Sequence, residues 1–237
     1  MSQAGADTVV SSSAALVVFD FDNTLYRGDS GGALVAWMIR RRLWRTALAV
    51  LATPVLLPMI AALPTRRMGL SGYVWIATVG LRGRRDFDTL IDDYVLRNEA
   101  ALRERVLPIA IDVLHAHRVA GDRVVIATGA PPELARAILA FVAHEDVPVV
   151  GTEVGPRLGA VVARRHCHAA NKLVMLREAG FAGPIARAYS DSTADMPLLQ
   201  AAGHPVVVNP KPSAVETFRK VLGADVDLRD WITAARK

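Results

Sequence analysis

The run Val17-Val18-Phe19-Asp20-Phe21-Asp22 carries an apolar strand straight into two carboxylates on alternate residues. Alternation along a strand puts Asp20 and Asp22 on the same side of the chain. Two like charges that close repel each other and hydrate poorly, so a fold keeps them only where a cation lies between them or one carboxyl holds its proton. The stretch therefore calls for a metal, acid–base chemistry, or both.

Further β-rich runs follow at 123–127, 147–150, 185–189 and 205–208, the first run being Leu16–Phe19. Helical patterns separate them, for instance at 133–142 and at 172–179, where Gly180 supplies a stop. The alternation predicts an α/β fold, a doubly wound and mostly parallel sheet. About a hundred residues lie between the first and second runs, far more than a crossover helix needs. We read 1–15 as a flexible lead, 16–25 and 106–237 as the α/β core, and 26–105 as an inserted helical cap. With 52% apolar and 22% charged residues the chain is long and apolar enough to bury a large core. The first fifteen residues show neither a basic start nor a continuous apolar stretch, so no secretory signal is expected. The sole cysteine, Cys167, cannot form an internal disulfide, and a reducing compartment is the expectation.

The core strands end in chemistry. The first stops at Asp20 and Asp22, the second at Thr128-Gly129, and the fourth at Ser190-Asp191-Ser192-Thr193-Ala194-Asp195. Ligands of open α/β sheets bind beyond the carboxyl ends of the strands, so these groups share one edge. Lys172, near the start of a helix, can bring an ammonium there. Phosphoryl transfer suits this set, because negative charge spreading over equatorial oxygens needs a divalent cation, an ammonium and donors from a turn. Magnesium prefers oxygen ligands, which Asp20, Asp191 and Asp195 supply. One carboxylate can attack phosphorus while another handles protons.

"FDFDNT", the "ATGA" after the second strand, Lys172 and "YSDSTADMPLL" resemble, in order, the four motifs of the haloacid dehalogenase superfamily. The helical insertion and the last motif resemble its phosphoserine-phosphatase-like branch, and the apolar insertion more narrowly resembles phosphatidylglycerophosphatase C, an inner-membrane lipid phosphatase. The resemblance implies Asp20 as nucleophile and Asp22 as general acid and then base. Thr128, Gly129 and Lys172 would bind the phosphoryl group. Asp191 would hold Mg2+ with the Asp20 carboxylate and the Asp22 backbone carbonyl, Asp195 supporting. Two positions depart from the pattern: Ala169 stands where a glycine is usual, and Asp29 stands where the phosphoserine branch carries a glutamate toward the substrate amine.

Each residue also has a plainer reading. Asp20 and Asp22 could form a turn, Thr128-Gly129 could merely start a helix, Lys172 could be a solvated lysine, and Asp195 could cap the helix after it. His166-Cys167-His168 lacks further nearby ligands, so no zinc site is expected. Arg164, Arg165 and His166 could meet the anionic part of a substrate or form a solvated loop.

The insertion bears on substrate class. From Ser30 to Arg85 there is no Asp or Glu, while nine arginines fall inside: 40, 41, 42, 45, 66, 67, 82, 84 and 85. No basic stretch interleaves with aromatics, so nucleic acid is not an expected partner. Residues 46–63 are uncharged and would reach about 27 Å as a helix, near the roughly 30 Å of a bilayer core. Residues 68–81 are uncharged too, at about 21 Å too short to span but long enough for a returning arm. Both halves of the core must share one compartment, and arginines flank both arms on the same side. A hairpin over 46–81 that dips into an anionic membrane surface fits this pattern, with the first arm kinked or broken by Pro54 and Pro58. Burial inside the protein or a dimer interface are the alternatives. The expected function is magnesium-dependent hydrolysis of a phospholipid phosphomonoester, such as phosphatidylglycerol phosphate, at the cytoplasmic face of the inner membrane. A soluble small-metabolite phosphatase of the phosphoserine type is the competing reading, and a catalytically idle membrane scaffold a third. The sequence leaves the oligomeric state open.

Overall fold

The computed structural model describes residues 14–62 and 65–234, and the side chains of residues 66 and 67 are outside that description. The lead read over 1–15 thus falls outside the described residues except for its last two.

Strand β1 (Leu16–Phe19) is followed by helices α1 (Ser30–Arg40), α2 (Leu43–Ala61), α3 (Arg66–Thr78), α4 (Arg84–Arg103) and α5 (Pro108–Val119). Then come β2 (Arg123–Thr128), α6 (Pro132–Leu139), β3 (Val149–Gly151), β4 (Glu153–Arg157), β5 (Ala160–Arg165) and α7 (Ala170–Glu178). The chain closes with β6 (Ile185–Ser190), α8 (Met196–Gln200), β7 (Ala202–Val208), α9 (Val215–Leu222), β8 (Asp227–Arg229) and α10 (Trp231–Ala234).

Six strands form one parallel sheet in the order β3-β2-β1-β6-β7-β8. Val17 and Phe19 pack into the apolar layer shared with α1, α4, α5 and α6, whereas Leu16 and Val18 pack into the layer with α7, α8 and α9. A strand buried on both faces has to be apolar throughout, which accounts for the unbroken run before Asp20. The chain winds outward from β1 on one side through β2 and β3, and on the other through β6, β7 and β8. The reversal falls between β1 and β6, where such sheets open a crevice at the carboxyl ends of their strands.

The insertion leaves and rejoins the core side by side. Tyr26 bridges Val106 antiparallel, Arg27 N donates to Arg105 O at 2.7 Å, and Leu107 N donates to Leu25 O at 2.9 Å. Asp29 caps α1 by accepting from Gly32 N at 2.7 Å, and α1 buries Leu34, Met38 and Ile39. Helix α4 buries Phe87, Ile91 and Tyr94, and bends at Asn98, where the side-chain amide donates to Tyr94 O.

The hairpin of α2 and α3 differs from its sequence reading in one respect. Rather than a broken arm, α2 is a continuous 19-residue helix with Pro54 and Pro58 inside it. Both prolines, one turn apart, lie on its exposed side, as does Val50, whose carbonyl Pro54 leaves without a helical partner. Along its other side α2 meets glycines of α3. A Cβ at Gly69 would come 2.8 Å from Leu56 O and 3.0 Å from Ile60 N, and one at Gly72 would overlap the Leu56 side chain. Leu56 and Ile60 therefore face α3, while Val50, Leu51, Val55 and Leu57 are exposed.

An antiparallel hairpin, β4–β5, is absent from the sequence reading. Its alternation is weak, with Gly155 and Pro156 inside β4. Thr78 Oγ1 donates to Val161 O at 2.7 Å and accepts from Val161 N at 3.2 Å, which fastens β5 to the end of α3. Smaller differences are that β3 begins at Val149, that β7 begins at Ala202, and that β8 forms as a three-residue edge strand too short to leave a pattern.

Candidate active site

Strands β1 and β6 pair with Phe19 opposite Tyr189, and Asp20 N donates to Tyr189 O at 2.8 Å. Asp20 thus leaves the sheet beside Ser190 and Asp191. After Asp20 the chain turns sharply, with the amides of Thr24, Leu25 and Tyr26 all directed at Phe21 O. Asn23, at φ +56, occupies the left-handed region that asparagine tolerates. Its side-chain oxygen accepts from Gly28 N at 2.9 Å, and its carbonyl accepts from Asn209 Nδ2 at 2.7 Å. Asn209 in turn accepts from Trp231 N and Ile232 N, tying the turn to the C-terminal helix.

Lys172 sits at the third residue of α7 and is almost fully buried. Its Nζ donates to Asp20 Oδ1 and to Asp195 Oδ2, each at 2.6 Å. Asp195 Oδ2 also accepts from Ser190 Oγ at 2.7 Å. An ammonium has three donors, so one is left for a ligand oxygen. The helix carrying Lys172 is preceded by Ala169, whose φ of +52 is the conformation a glycine takes without strain. The loop before it is anchored from below. Cys167 N donates to Thr152 Oγ1 at 3.1 Å, Thr152 N donates to Ala130 O at 3.0 Å, and a Cβ at Gly129 would lie 4.0 Å from Cys167 O. Cys167 is fully buried, and burial pushes its thiol up to about 11, so it acts here as a packed apolar group.

The remaining expected residues fall around this centre. Thr128 and Gly129 end β2, next to β1, and the Thr128 hydroxyl oxygen accepts from Ala130 N at 3.0 Å while keeping its own proton to donate. Asp22 turns toward the cap, where its Oδ1 accepts from Ser30 N at 2.8 Å, the first residue of α1. The Asn23 side chain lies beside Asp191 and favours its ionised form. Asp29 is committed to capping α1. Arg165 is paired with Glu178 and so is not free for a substrate, whereas Arg164 is exposed on β5. Among the described residues no group of three or more His, Cys, Asp or Glu side chains gathers as a metal cage, which includes the stretch His166 to His168. Sequence reasoning passed over Ser190, Asn23 and Asn209 as supports of the site. Their partners lie up to 186 residues away, and only their position at strand ends hinted at a role.

The cluster is short of positive charge. Burial raises Asp20, and Asp195 and Asp22 add to the rise against the pull of Lys172. Burial would strip the proton from Lys172, but Asp20 and Asp195 together outweigh it and hold the ammonium above its usual range. Burial lifts Asp22 to about 6 against the Ser30 bonds, and burial with Asp195 lifts Asp191 to about 6. Three neighbouring carboxylates, Asp20, Asp22 and Asp191, that are all raised by burial call for a further cation. The carboxylates at the crevice offer hard oxygens, the donor type that magnesium takes while keeping several waters. The residues present fit that ion.

The haloacid dehalogenase-like hydrolase family matches residues 17–200. A probable phosphatase of Mycobacterium tuberculosis (strain ATCC 25618 / H37Rv) is 35% identical over 139 residues, covering 53% of this chain and 47% of that protein. The chain thus matches about half the length of that curated relative. A protein of unknown function from Bordetella pertussis Tohama I has a similar fold, with a TM-score of 0.67 at 21% identity over 93% of this chain and 100% of that one. So does a phospho-aspartyl intermediate analogue of phosphoserine phosphatase, with a TM-score of 0.56 at 16% identity over 92% and 93%.

Proposed function

Since this chain belongs to the haloacid dehalogenase-like hydrolases, we propose that it is a magnesium-dependent phosphomonoesterase that forms an aspartyl-phosphate on Asp20 and acts on a phospholipid such as phosphatidylglycerol phosphate, at the cytoplasmic face of the membrane. The relative named as a probable phosphatase and the neighbour with a phospho-aspartyl analogue agree with phosphomonoester chemistry.

In this reading Asp20 Oδ attacks phosphorus, the bond to the leaving oxygen breaks, and Asp22 delivers the proton that oxygen needs. Asp22, lifted to about 6, is able to hold a proton near neutral pH and later to take one from the water that hydrolyses the acyl phosphate. Lys172 and Thr128 each have a donor to offer the phosphoryl oxygens. Asp195 and Ser190 hold Lys172 in place. Asp20, Asp191 and the Asp22 carbonyl would hold Mg2+, which when bound neutralises the phosphate charge that Lys172 alone cannot balance.

The observation that carries the lipid reading is the uncovered face of α2. Helix Leu43–Ala61 is long and apolar enough to cross a membrane, with mean hydropathy 1.6, yet only 11% of it is buried. An unpartnered apolar face of this kind marks a binding surface. The arginines at its root suit anionic headgroups, each worth about 1 kcal/mol near such a leaflet. In the soluble-metabolite reading the cap would need no such face.

Phosphomonoesters presented in mixed micelles and in plain buffer separate the two. The lipid reading expects a kcat/KM for phosphatidylglycerol phosphate in micelles well above that for soluble esters, phosphoserine included. A preference for phosphoserine would hand the case to the metabolite reading.

A further inference from the structure

The turn between β4 and β5 breaks a local rule. A two-residue hairpin turn with positive φ at both positions normally begins with Asn, Asp or Gly, because a larger side chain crowds its own backbone there. Here the pair is Leu158 at φ +49 and Gly159 at φ +68, and Leu158 is 80% exposed. Such a leucine is strained and hydrated, and neither packing nor turn chemistry accounts for it.

Its neighbours indicate what it meets. Leu158 O accepts from Trp75 Nε1 at 3.1 Å, and Gly159 O accepts from Gly80 N at 2.8 Å, so the turn is fastened to the C-terminal end of α3. The same end of α3 is tied to the first turn of α2, where Arg45 Nη2 donates to Val79 O at 2.8 Å. Leu43 and Trp44 are exposed there at 88% and 52%, with Arg40, Arg42 and, beside the turn, Arg157 exposed around them. An exposed leucine tip, an exposed tryptophan and unopposed arginines at the root of an apolar hairpin make up the set that anchors proteins at a bilayer surface.

We propose that the Leu158 turn is a membrane anchor, an apolar tip that enters the headgroup layer of an anionic bilayer beside the root of the α2–α3 hairpin. The proposal rests on the lipid reading and gives the membrane a second contact, made by the core. A lipid surface is favoured over a second copy of the chain because residues 30–85 and the turn bring no carboxylate. Two copies would therefore set arginine against arginine, whereas an anionic leaflet attracts both. From this turn β5 leads directly to Cys167 and the helix of Lys172, so the anchor also orients the catalytic edge toward the surface.

The test is Leu158→Asn in the full chain, a substitution that suits the turn. Expected are a melting temperature higher by about 2 °C, unchanged hydrolysis of a soluble phosphate ester, and about tenfold weaker sedimentation with vesicles of mixed phosphatidylcholine and phosphatidylglycerol. Leu158→Phe should sediment at least as well as the wild type. Undiminished sedimentation of Leu158→Asn beside strong wild-type binding would overturn the anchor and leave the lipid reading standing. A lowered melting temperature or lost soluble-ester activity would overturn it by making the leucine structural. A wild type that ignores the vesicles would overturn both proposals.

Discussion

Lys172 carries two buried carboxylates on one ammonium, and its removal should be felt by the fold as well as by the chemistry. In chelator, Lys172→Met strands Asp20 and Asp195 without a cation and should cost about 3–5 kcal/mol in urea unfolding. Asp20→Asn removes one of two like charges while Asp195 keeps the lysine paired, so its urea midpoint should match or exceed that of the wild type although turnover is lost. Equal destabilisation by both would mean that the pairing at 2.6 Å does not organise the cluster. Protons follow the same logic. Asp22 and Asp191 titrate near 6 in the folded protein, above the 3.8 of a free carboxyl, so between those values the folded chain binds more protons than the unfolded one. Without metal, their contribution to stability is present at pH 4 and is lost as pH rises through 6. Magnesium must displace the proton on Asp191, so its gain in melting temperature should be small at pH 5 and larger at pH 8. A gain that shrinks with rising pH would refute the assignment.

At the scale of elements, the glycines of α3 decide whether the hairpin closes. Gly69→Ala sets a methyl group against the backbone of α2, which cannot yield as a side chain could, and should destabilise by about 1–3 kcal/mol in thermal melts. Gly83→Ala, in extended backbone with nothing within 4 Å, should change nothing measurable. What the sequence displayed and what it hid divide along the same line. Strands β1 and β2 were legible because apolar runs buried on both faces stop at Asp20 and Thr128, and β6 because a partly buried run stops at Asp191. The break expected at Pro54 and Pro58 does not occur, and because both prolines stand on the exposed side the carbonyls they leave unbonded can be met by solvent or headgroups. The β4–β5 hairpin escaped because its turn opens on leucine instead of a turn residue. In the site, the carboxylates, Thr128 and Lys172 could be read from their positions. The bonds from Ser190 to Asp195 and from Asn209 to Asn23 could not, since contacts made in three dimensions leave no local periodicity.

At the scale of the whole molecule, the sheet and the insertion divide the work. The parallel sheet reverses its winding between β1 and β6 and there gathers Asp20, Asp191, Asp195 and Lys172 from distant parts of the chain. The insertion supplies α1, whose first amide holds Asp22, and the α2–α3 hairpin, whose outer face lies open. In the proposed reading substrate class belongs to the insertion and bond breaking to the sheet, and the chemistry rests on Asp20 being the nucleophile that accepts the phosphoryl group. The most direct measurement is an acid quench during turnover, followed by peptide mass spectrometry with and without hydroxylamine, which cleaves acyl phosphates. The account expects one phosphoryl group on the peptide containing Asp20, removed by hydroxylamine and absent from Asp20→Asn. A phosphoryl group found on another residue, or steady turnover by Asp20→Asn, would contradict it.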